Sequence, residues 1–222
     1  MLEFRARRYD TGEPVRVVID NEQILAVDAV RPPGDVDDWP FVAPGLFDLQ
    51  INGYGGIWFS DEHLTPEKVL SALKAHFQHG ITRLCPTLIT NSFEALRAGF
   101  AAIRSACDSE PWANRMVPGC HLEGPYISAE DGPRGAHPLE HVRGCDWDEF
   151  CRLQDASGDR ICLVTLAAEA SGASEFIRKA VDSGVTIAIG HTAANGQQIQ
   201  EAVDAGARLS THLGNGAHGT IR

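Results

Sequence analysis

A regular alternation of helix-like and strand-like segments, beginning at residue 66, is the feature that most limits the fold of this chain. Segment 66–80 has apolar residues at helical spacing and ends at a glycine, and the apolar run 81–90 that follows is typical of a buried strand. The same junction recurs in SGVTIAI and AGARLSTH. Apolar strands that alternate with amphipathic helices predict a parallel sheet covered by helices.

The alternation predicts six strands with five intervening helices. The strands are expected within segments 41–51, 81–90, 116–127, 161–170, 185–192 and 207–215. This pattern is typical of an α/β protein, but it leaves two architectures open, a doubly wound open sheet and a (β/α)8 barrel.

Before residue 43 the chain has a different character. Three short strand-like segments, EFRARRY, PVRVVID and ILAVDAV, are separated by turn-forming residues, and a polar, proline-rich connector follows them. We therefore predict a small β subdomain over residues 1–42 and an α/β domain over residues 43–222.

Composition excludes several classes of partner. The chain has 30 acidic and 19 basic residues, a net charge of −11, and no run of basic residues, which argues against binding to nucleic acid or to an anionic membrane surface. No apolar run approaches the roughly 20 residues of a membrane span. The six cysteines form no C-x-x-C pair, so we expect free thiols and a cytoplasmic location.

Ligand-type residues lie at the predicted carboxyl ends of three strands, where parallel α/β folds build their active sites: Glu123, His191 and His212. One carboxylate and two imidazoles suit a catalytic divalent metal that keeps one coordination position open. Other interpretations stay open at this point. The histidines fit hydrogen-bonded structural roles, and Glu123 fits either a buried partner for an arginine or a general acid or base without a metal.

Four motifs in chain order carry a family resemblance. They are APGLFDLQINGYGG (43–56), HLEGPYIS followed by GAH (121–137), IGHT (189–192) and THLGNGA (211–217). Together they resemble the N-acetylglucosamine-6-phosphate deacetylase family of the amidohydrolase superfamily. The resemblance implies a metal-dependent (β/α)8 TIM barrel of the amidohydrolase type with a small N-terminal β subdomain, of which these residues would supply strands one to six.

The resemblance also implies roles for individual residues. Glu123, His191 and His212 would be the ligands of one divalent metal, most simply Zn, with Fe, Mn and Co also suited to this donor set. His137 would polarise the acetamido carbonyl of the substrate. The sugar phosphate would meet the chain at the pair Asn215 and Gly216.

Many amidohydrolases carry His-x-His after the first barrel strand and bind a second metal there. This chain has Gln50 and Asn52 instead, following Asp48 at the end of the same strand. Because amides are poor metal ligands beside imidazole, we predict that the second metal position is vacant.

Two departures from the family pattern affect the expected function. Gly214 and His218 flank the Asn215 motif, where the family has a bulky residue before Asn-Ala-Met, and this difference favours a divergent branch with a related N-acetyl sugar substrate. The family's general acid/base, an aspartate after strand eight, is expected beyond residue 222. We therefore expect an N-terminal portion of a longer protein that has little activity alone.

The resemblance implies hydrolysis of N-acetylglucosamine 6-phosphate to glucosamine 6-phosphate and acetate, and a homodimer when the protein is full length. Three alternatives remain: an amidohydrolase that deacetylates another N-acetyl sugar or amino acid, a non-catalytic sugar-phosphate-binding homologue, and a metal-free sugar isomerase with Glu123 as its base.

Overall fold

The computed structural model describes residues 1–218, and the chain divides after Gly45 into two compact units. The last part of the predicted barrel domain, residues 219–222, lies outside the described residues.

The first unit is a four-stranded sheet in the order β3-β2-β1-β4. Its strands are β1 (Leu2–Arg8), β2 (Pro14–Asp20), β3 (Gln23–Ala29) and β4 (Phe41–Val42). The first three pair antiparallel, as their turn-separated pattern predicts, and β4 runs parallel to β1. The prediction of one strand over 41–51 is wrong, because Phe41–Val42 pairs with β1 and a separate strand begins at Leu46.

The second unit contains a sheet of six parallel strands and a two-stranded hairpin. Its strands are β5 (Leu46–Ile51), β6 (Gly53–Tyr54), β7 (Ile57–Trp58), β8 (Ile81–Ile89), β9 (Cys120–Glu123), β10 (Ile161–Leu166), β11 (Thr186–Ile189) and β12 (Leu209–Ser210). Its helices are α1 (Pro66–His76), α2 (Phe93–Ser109), α3 (Pro111–Met116), α4 (Trp147–Ser157), α5 (Ala173–Asp182) and α6 (Gly196–Ala205).

The order of the six strands decides between the two architectures that the sequence leaves open. It is β12-β11-β10-β9-β8-β5, so each barrel strand lies beside the next one along the chain. A doubly wound sheet reverses its strand order at a switch point, whereas a (β/α) barrel does not. The second unit therefore has the topology of a partial barrel, as predicted.

Local sequence explains where the helices begin and end. The side chains of Thr65, Ser92, Asp146 and Asn195 cap the first turns of α1, α2, α4 and α6 by accepting backbone N–H bonds. Glycines in the left-handed conformation end α4 and α6, because they permit the positive φ that turns the chain toward the next strand.

Strand β9 is shorter than the predicted segment 116–127. It covers only Cys120–Glu123, and the unpredicted helix α3 ends at Met116, just before it. Pro118 has no N–H to donate, and Gly124 turns the chain at φ 74°, so pairing is confined to Cys120–Glu123 between them. This turn makes Glu123 the last residue of its strand.

The apolar core of the second unit lies between the sheet and its covering helices. Phe100 of α2 and Phe150 of α4 are almost fully buried, together with Leu88 and Leu122 of the central strands. Among the described residues, no helix is both long and apolar enough to span a bilayer.

The two outer strands of the sheet each pair on one side only among the described residues. Strand β5 exposes Leu46, Phe47 and Leu49. At the opposite edge, Leu209 of β12 and Leu213, three residues after the end of β12, are exposed. Apolar strand edges of this kind are normally covered by further protein.

Candidate metal centre

Three ligand-type side chains converge at the carboxyl edge of the parallel sheet. Glu123 ends β9, while His191 and His212 each follow their strand, β11 or β12, by two residues. One ligand atom from each side chain lies within 4.8 Å of the other two. The structure thus brings together the three residues predicted as metal ligands, from strands three, five and six of the barrel.

Glu123 is the centre of this cluster. Its Oε1 accepts hydrogen bonds from His191 Nε2 and His212 Nε2, both at 3.0 Å, and its Oε2 accepts one from Gln50 Nε2 at 2.9 Å. The side chain is almost fully buried. Burial opposes ionisation, but the bond from His191 and the neighbouring histidines outweigh it and lower the pKa of Glu123 to about 2.

The two histidines share an unusual backbone conformation. His191 has φ 50° and His212 has φ 55°, in the left-handed region that side chains other than glycine seldom adopt, although histidine is among the enriched types. At equivalent places after two neighbouring strands, the same turn directs both imidazoles toward Glu123. The sequence repeats, IGHT and STHL, gave no direct sign of this conformation.

The donor set fits a divalent metal. His191 Nδ1 donates to the carbonyl oxygen of Pro133 at 3.0 Å, which fixes the ring so that Nε2 faces Glu123, and a bound metal ion would take the place of the Nε2 proton. Burial lowers the pKa of His191, but the hydrogen bond to Glu123 and the charge of that carboxylate outweigh it, so this pKa is raised. The cluster therefore attracts positive charge, and its one oxygen and two nitrogens match the three protein ligands of open zinc sites.

His137 lies beside the cluster, although a loop and not a strand carries it. Its ring centroid is 4.3 Å from that of His191, and its Nδ1 is 2.8 Å from the hydroxyl of Thr90. Burial, and then the proximity of His191, lower the pKa of His137 to about 4, so the imidazole is neutral near pH 7. Thr90, which follows β8 directly, was not identified from the sequence because nothing local marks it.

These side chains line a cleft of about 540 Å³. Its lining consists of Gln50, Asn52, Ile89, Glu123, Ala136, His137, His191 and His212. The Gln50 amide donates to Glu123, so its NH₂ group, which cannot bind a metal, faces the centre. This arrangement supports the prediction of a vacant second position at Gln50 and Asn52, which stays a prediction.

Asn215 and Gly216 lie in the turn that follows His212 and outside the lining of this cleft. The Asn215 N–H donates to His212 O at 2.6 Å, and Gly216 O accepts from Thr192 N at 3.3 Å, so the turn folds back toward the IGHT segment. Both residues line a neighbouring, mostly apolar hollow of about 630 Å³. Their predicted contact with the sugar phosphate stays a prediction.

A partly buried ion pair holds the loop that carries His137. Arg143 Nε donates to both carboxylate oxygens of Glu149, at 3.1 and 3.0 Å, and Arg143 Nη1 donates to Asn91 O at 3.1 Å. The hydroxyl of Tyr126 donates to the same carboxylate at 3.0 Å. The pair thus connects the loop to the end of β8 and to α4. Sequence analysis missed it because these contacts join residues without any shared motif.

The sequential parallel sheet, with a Glu/His/His cluster at its carboxyl edge, defines the class of the protein: an α/β barrel with a candidate metal centre.

Comparison with known proteins identifies the relatives of the chain within this class. No family model matches the chain. It is 38% identical over 179 residues to N-acetylgalactosamine-6-phosphate deacetylase of Shewanella sp. (strain ANA-3), and 38% identical over 178 residues to N-acetylglucosamine-6-phosphate deacetylase of Bos taurus. Each match covers 78% of this chain and 42% of the relative.

Solved structures give the same result. N-acetyl-D-glucosamine-6-phosphate deacetylase from Mycobacterium smegmatis matches with a TM-score of 0.82 and 32% identity, over 97% of this chain and 57% of that one. A variant of that enzyme in complex with N-acetyl-D-glucosamine-6-phosphate matches with a TM-score of 0.80. The chain is thus a homologue of the N-acetylglucosamine-6-phosphate deacetylases, and it spans about half the length of the relatives it matches.

The ion pair that holds the His137 loop gives a stability prediction. Replacing Arg143 with Met leaves Glu149 buried without its cation, so we expect the free energy of unfolding in urea to fall by about 3 kcal/mol. Arg97→Met, which removes an exposed partner of Glu94, is the matched control and should cost less than about 0.5 kcal/mol. Equal effects of the two substitutions would show that the Arg143 pair does not stabilise the loop.

Proposed function

We propose that the whole protein is a metal-dependent hydrolase that converts N-acetylglucosamine 6-phosphate to glucosamine 6-phosphate and acetate. The observation that carries this proposal is the convergence of Glu123, His191 and His212 around one carboxylate oxygen. The homologues named above supply the substrate class, since their names specify deacetylation of 6-phosphorylated N-acetylhexosamines.

The three converging side chains would hold one divalent ion, for which Zn is the best match and Fe, Mn and Co are alternatives. When bound, such an ion supplies Lewis-acid chemistry that favours attack by water on an amide carbonyl. Gln50 contributes by fixing the second oxygen of Glu123, so only one carboxylate oxygen faces the histidines.

In this proposal, His137 donates a hydrogen bond to the acetyl carbonyl oxygen of the substrate. When the Thr90 hydroxyl donates to Nδ1, the ring proton resides on Nε2, which is then free to donate. The low pKa of His137 keeps the ring neutral, so it acts as a neutral hydrogen-bond donor to the negative charge that develops on the carbonyl oxygen.

The proton transfers of the reaction need another group. Glu123 is the only carboxylate among the described residues that line the cleft, and its oxygens already contact Gln50 and the two histidines. We assign the transfer of a proton from water to the leaving amine to an aspartate beyond residue 222, as the family resemblance implies.

A second candidate substrate is N-acetylgalactosamine 6-phosphate. One relative named for this sugar is as similar to the chain, at 38% identity, as one named for N-acetylglucosamine 6-phosphate. Gly214 precedes Asn215, the predicted phosphate contact, and stands where the family pattern has a bulky residue. This difference in the pocket is the sequence feature that favours a related sugar.

Location and assembly belong to the same proposal. All six cysteines are free thiols in the structure, which suits the reducing cytoplasm. The family resemblance supports a homodimer of the full-length protein.

Metal content tests the candidate ligands. Elemental analysis of the purified full-length protein should find about one equivalent of divalent metal, and Glu123→Gln should remove most of it, because an amide oxygen is a far weaker ligand than a carboxylate. Glu175→Gln, an exposed position, makes the same chemical change away from the site and should retain the metal. Metal-free wild-type protein that is folded and cannot be loaded would contradict the proposal.

The substrate is tested by acetate release from the metal-loaded, full-length protein. N-acetylglucosamine 6-phosphate should be hydrolysed with the highest kcat/KM, and the unphosphorylated sugar should react at least about tenfold more slowly, because binding energy from the phosphate is lost. A higher kcat/KM for N-acetylgalactosamine 6-phosphate would identify the second candidate. Absence of acetate from both phosphates would exclude the proposed reaction.

The role of His137 is tested separately from metal binding. His137→Gln should lower kcat by a factor of about 10²–10³ while the metal content is unchanged, because a donor to the developing oxyanion is lost. His141→Gln, in the same loop but outside the cleft lining, is the control. If His137→Gln lost the metal as well, the residue would act as a ligand or support and not as a donor to substrate.

A further inference from the structure

A row of buried polar side chains lies one layer below the candidate metal centre. His121 precedes Glu123 by two residues, so both side chains project from the same face of β9. His121 is fully buried, with Nε2 at 2.7 Å from the hydroxyl oxygen of Thr165 and Nδ1 at 3.4 Å from that of Thr87. A neutral imidazole has one donor and one acceptor nitrogen, which match these two hydroxyls.

The row continues toward the ligands on both sides. The hydroxyl oxygen of Thr165 is 2.8 Å from that of Thr211, the residue immediately before His212. At the other end, Thr87 accepts the backbone N–H of Ile51 at 3.1 Å, between Gln50 and Asn52 in the chain. The row therefore connects backbone positions next to the groups that form the centre.

One strand has to make room for this row. Strand β11 lies between β10 and β12, and at its end the position level with the row is Gly190. A Cβ built at Gly190 would lie 2.8 Å from Thr211 Cβ and 3.0 Å from Thr165 Cγ2. The hydrogen bond between these threonines crosses β11, and a side chain at residue 190 would separate them.

Polar side chains are unusual in an interior layer of a barrel. The interior layers of (β/α) barrels are generally filled by branched apolar side chains, which carry no desolvation cost. Here Thr87, His121 and Thr165 are each no more than 1% exposed, and every polar atom of their side chains has a partner. A fully satisfied buried network is rigid and fixes the relative positions of the strands that carry it.

We propose that Thr87, His121, Thr165 and Thr211 form a positioning layer that sets the metal affinity of the site, and that Gly190 is required for its closure. This inference rests on the proposed metal centre. The layer does not touch the ion or the substrate. It acts by fixing the strand ends from which Glu123, His191 and His212 reach the ion.

The test compares Thr165→Val with Thr165→Ser in the full-length protein. Valine keeps the shape of the side chain and removes the hydroxyl, whereas serine keeps the hydroxyl. The readouts are the Kd for Zn²⁺, measured by competition with a chromophoric chelator, and the unfolding midpoint of the metal-free protein. Thr186→Val, at an exposed position of β11, is the matched control.

We expect Thr165→Val to weaken Zn²⁺ binding about tenfold, the lower end of the effect of removing a direct partner of a metal ligand, because Thr165 acts on the ligands only through the strand ends. Thr165→Ser should restore binding to within about threefold of wild type, and Thr186→Val should leave it unchanged. Gly190→Ala should weaken binding as Thr165→Val does. Thr211→Val and Thr211→Ser repeat the comparison if Thr165→Val does not fold.

Contrary outcomes separate the two proposals. If wild type binds Zn²⁺ and the folded valine variants bind it equally well, with only a lower unfolding midpoint, the layer is merely structural and the inference is overturned. Failure of serine to restore affinity overturns it as well. If folded wild type binds no divalent metal, the proposed function fails first and the inference fails with it.

Discussion

The candidate site depends on the burial of one negative charge, that of Glu123. A carboxylate removed from water is costly unless polar partners replace its hydration, and here Gln50, His191 and His212 replace it from three other strands. The hydrogen bond from His191, with the nearby imidazoles of His121 and His137, lowers the pKa of Glu123 and keeps the carboxylate ionised. The ends of four barrel strands are therefore held together by one anion. A divalent ion bound there would replace the proton on His191 as the positive charge that balances the Glu123 carboxylate.

Two kinds of element supply the remaining parts of the site. The sheet gives the ligands their fixed spacing, because parallel neighbours present their carboxyl ends at one edge. The loop after β9 supplies His137, and its position depends on the ion pair between Arg143 and Glu149 and on the hydroxyl of Thr90. The same loop supplies the Pro133 carbonyl that accepts from His191 Nδ1, so the orientation of one ligand and the position of His137 depend on one segment.

Much of this could be predicted from periodicity, because strand and helix patterns are repeated along the chain and ligand-type residues stand at equivalent places in three repeats. The single strand predicted over 41–51 and the long strand predicted over 116–127 were wrong, since periodicity does not show which sheet a segment joins or where Pro118 and Gly124 stop pairing. Thr90 and the layer around His121 were missed for another reason. Their partners lie 34 to 47 residues away along the chain, so only the folded structure shows the contacts.

The left-handed backbone at His191 and His212 has a consequence for how this site could change by mutation. Glycine and asparagine adopt that conformation with the least cost, yet glycine offers no ligand atom and asparagine a weak one. A substitution of either histidine by glycine would therefore relieve the strain of the positive φ and also remove the metal ligand. At these two positions selection for a stable metal-free protein and selection for metal binding act in opposite directions, so a lineage freed from the need for the ion would be expected to lose these histidines early.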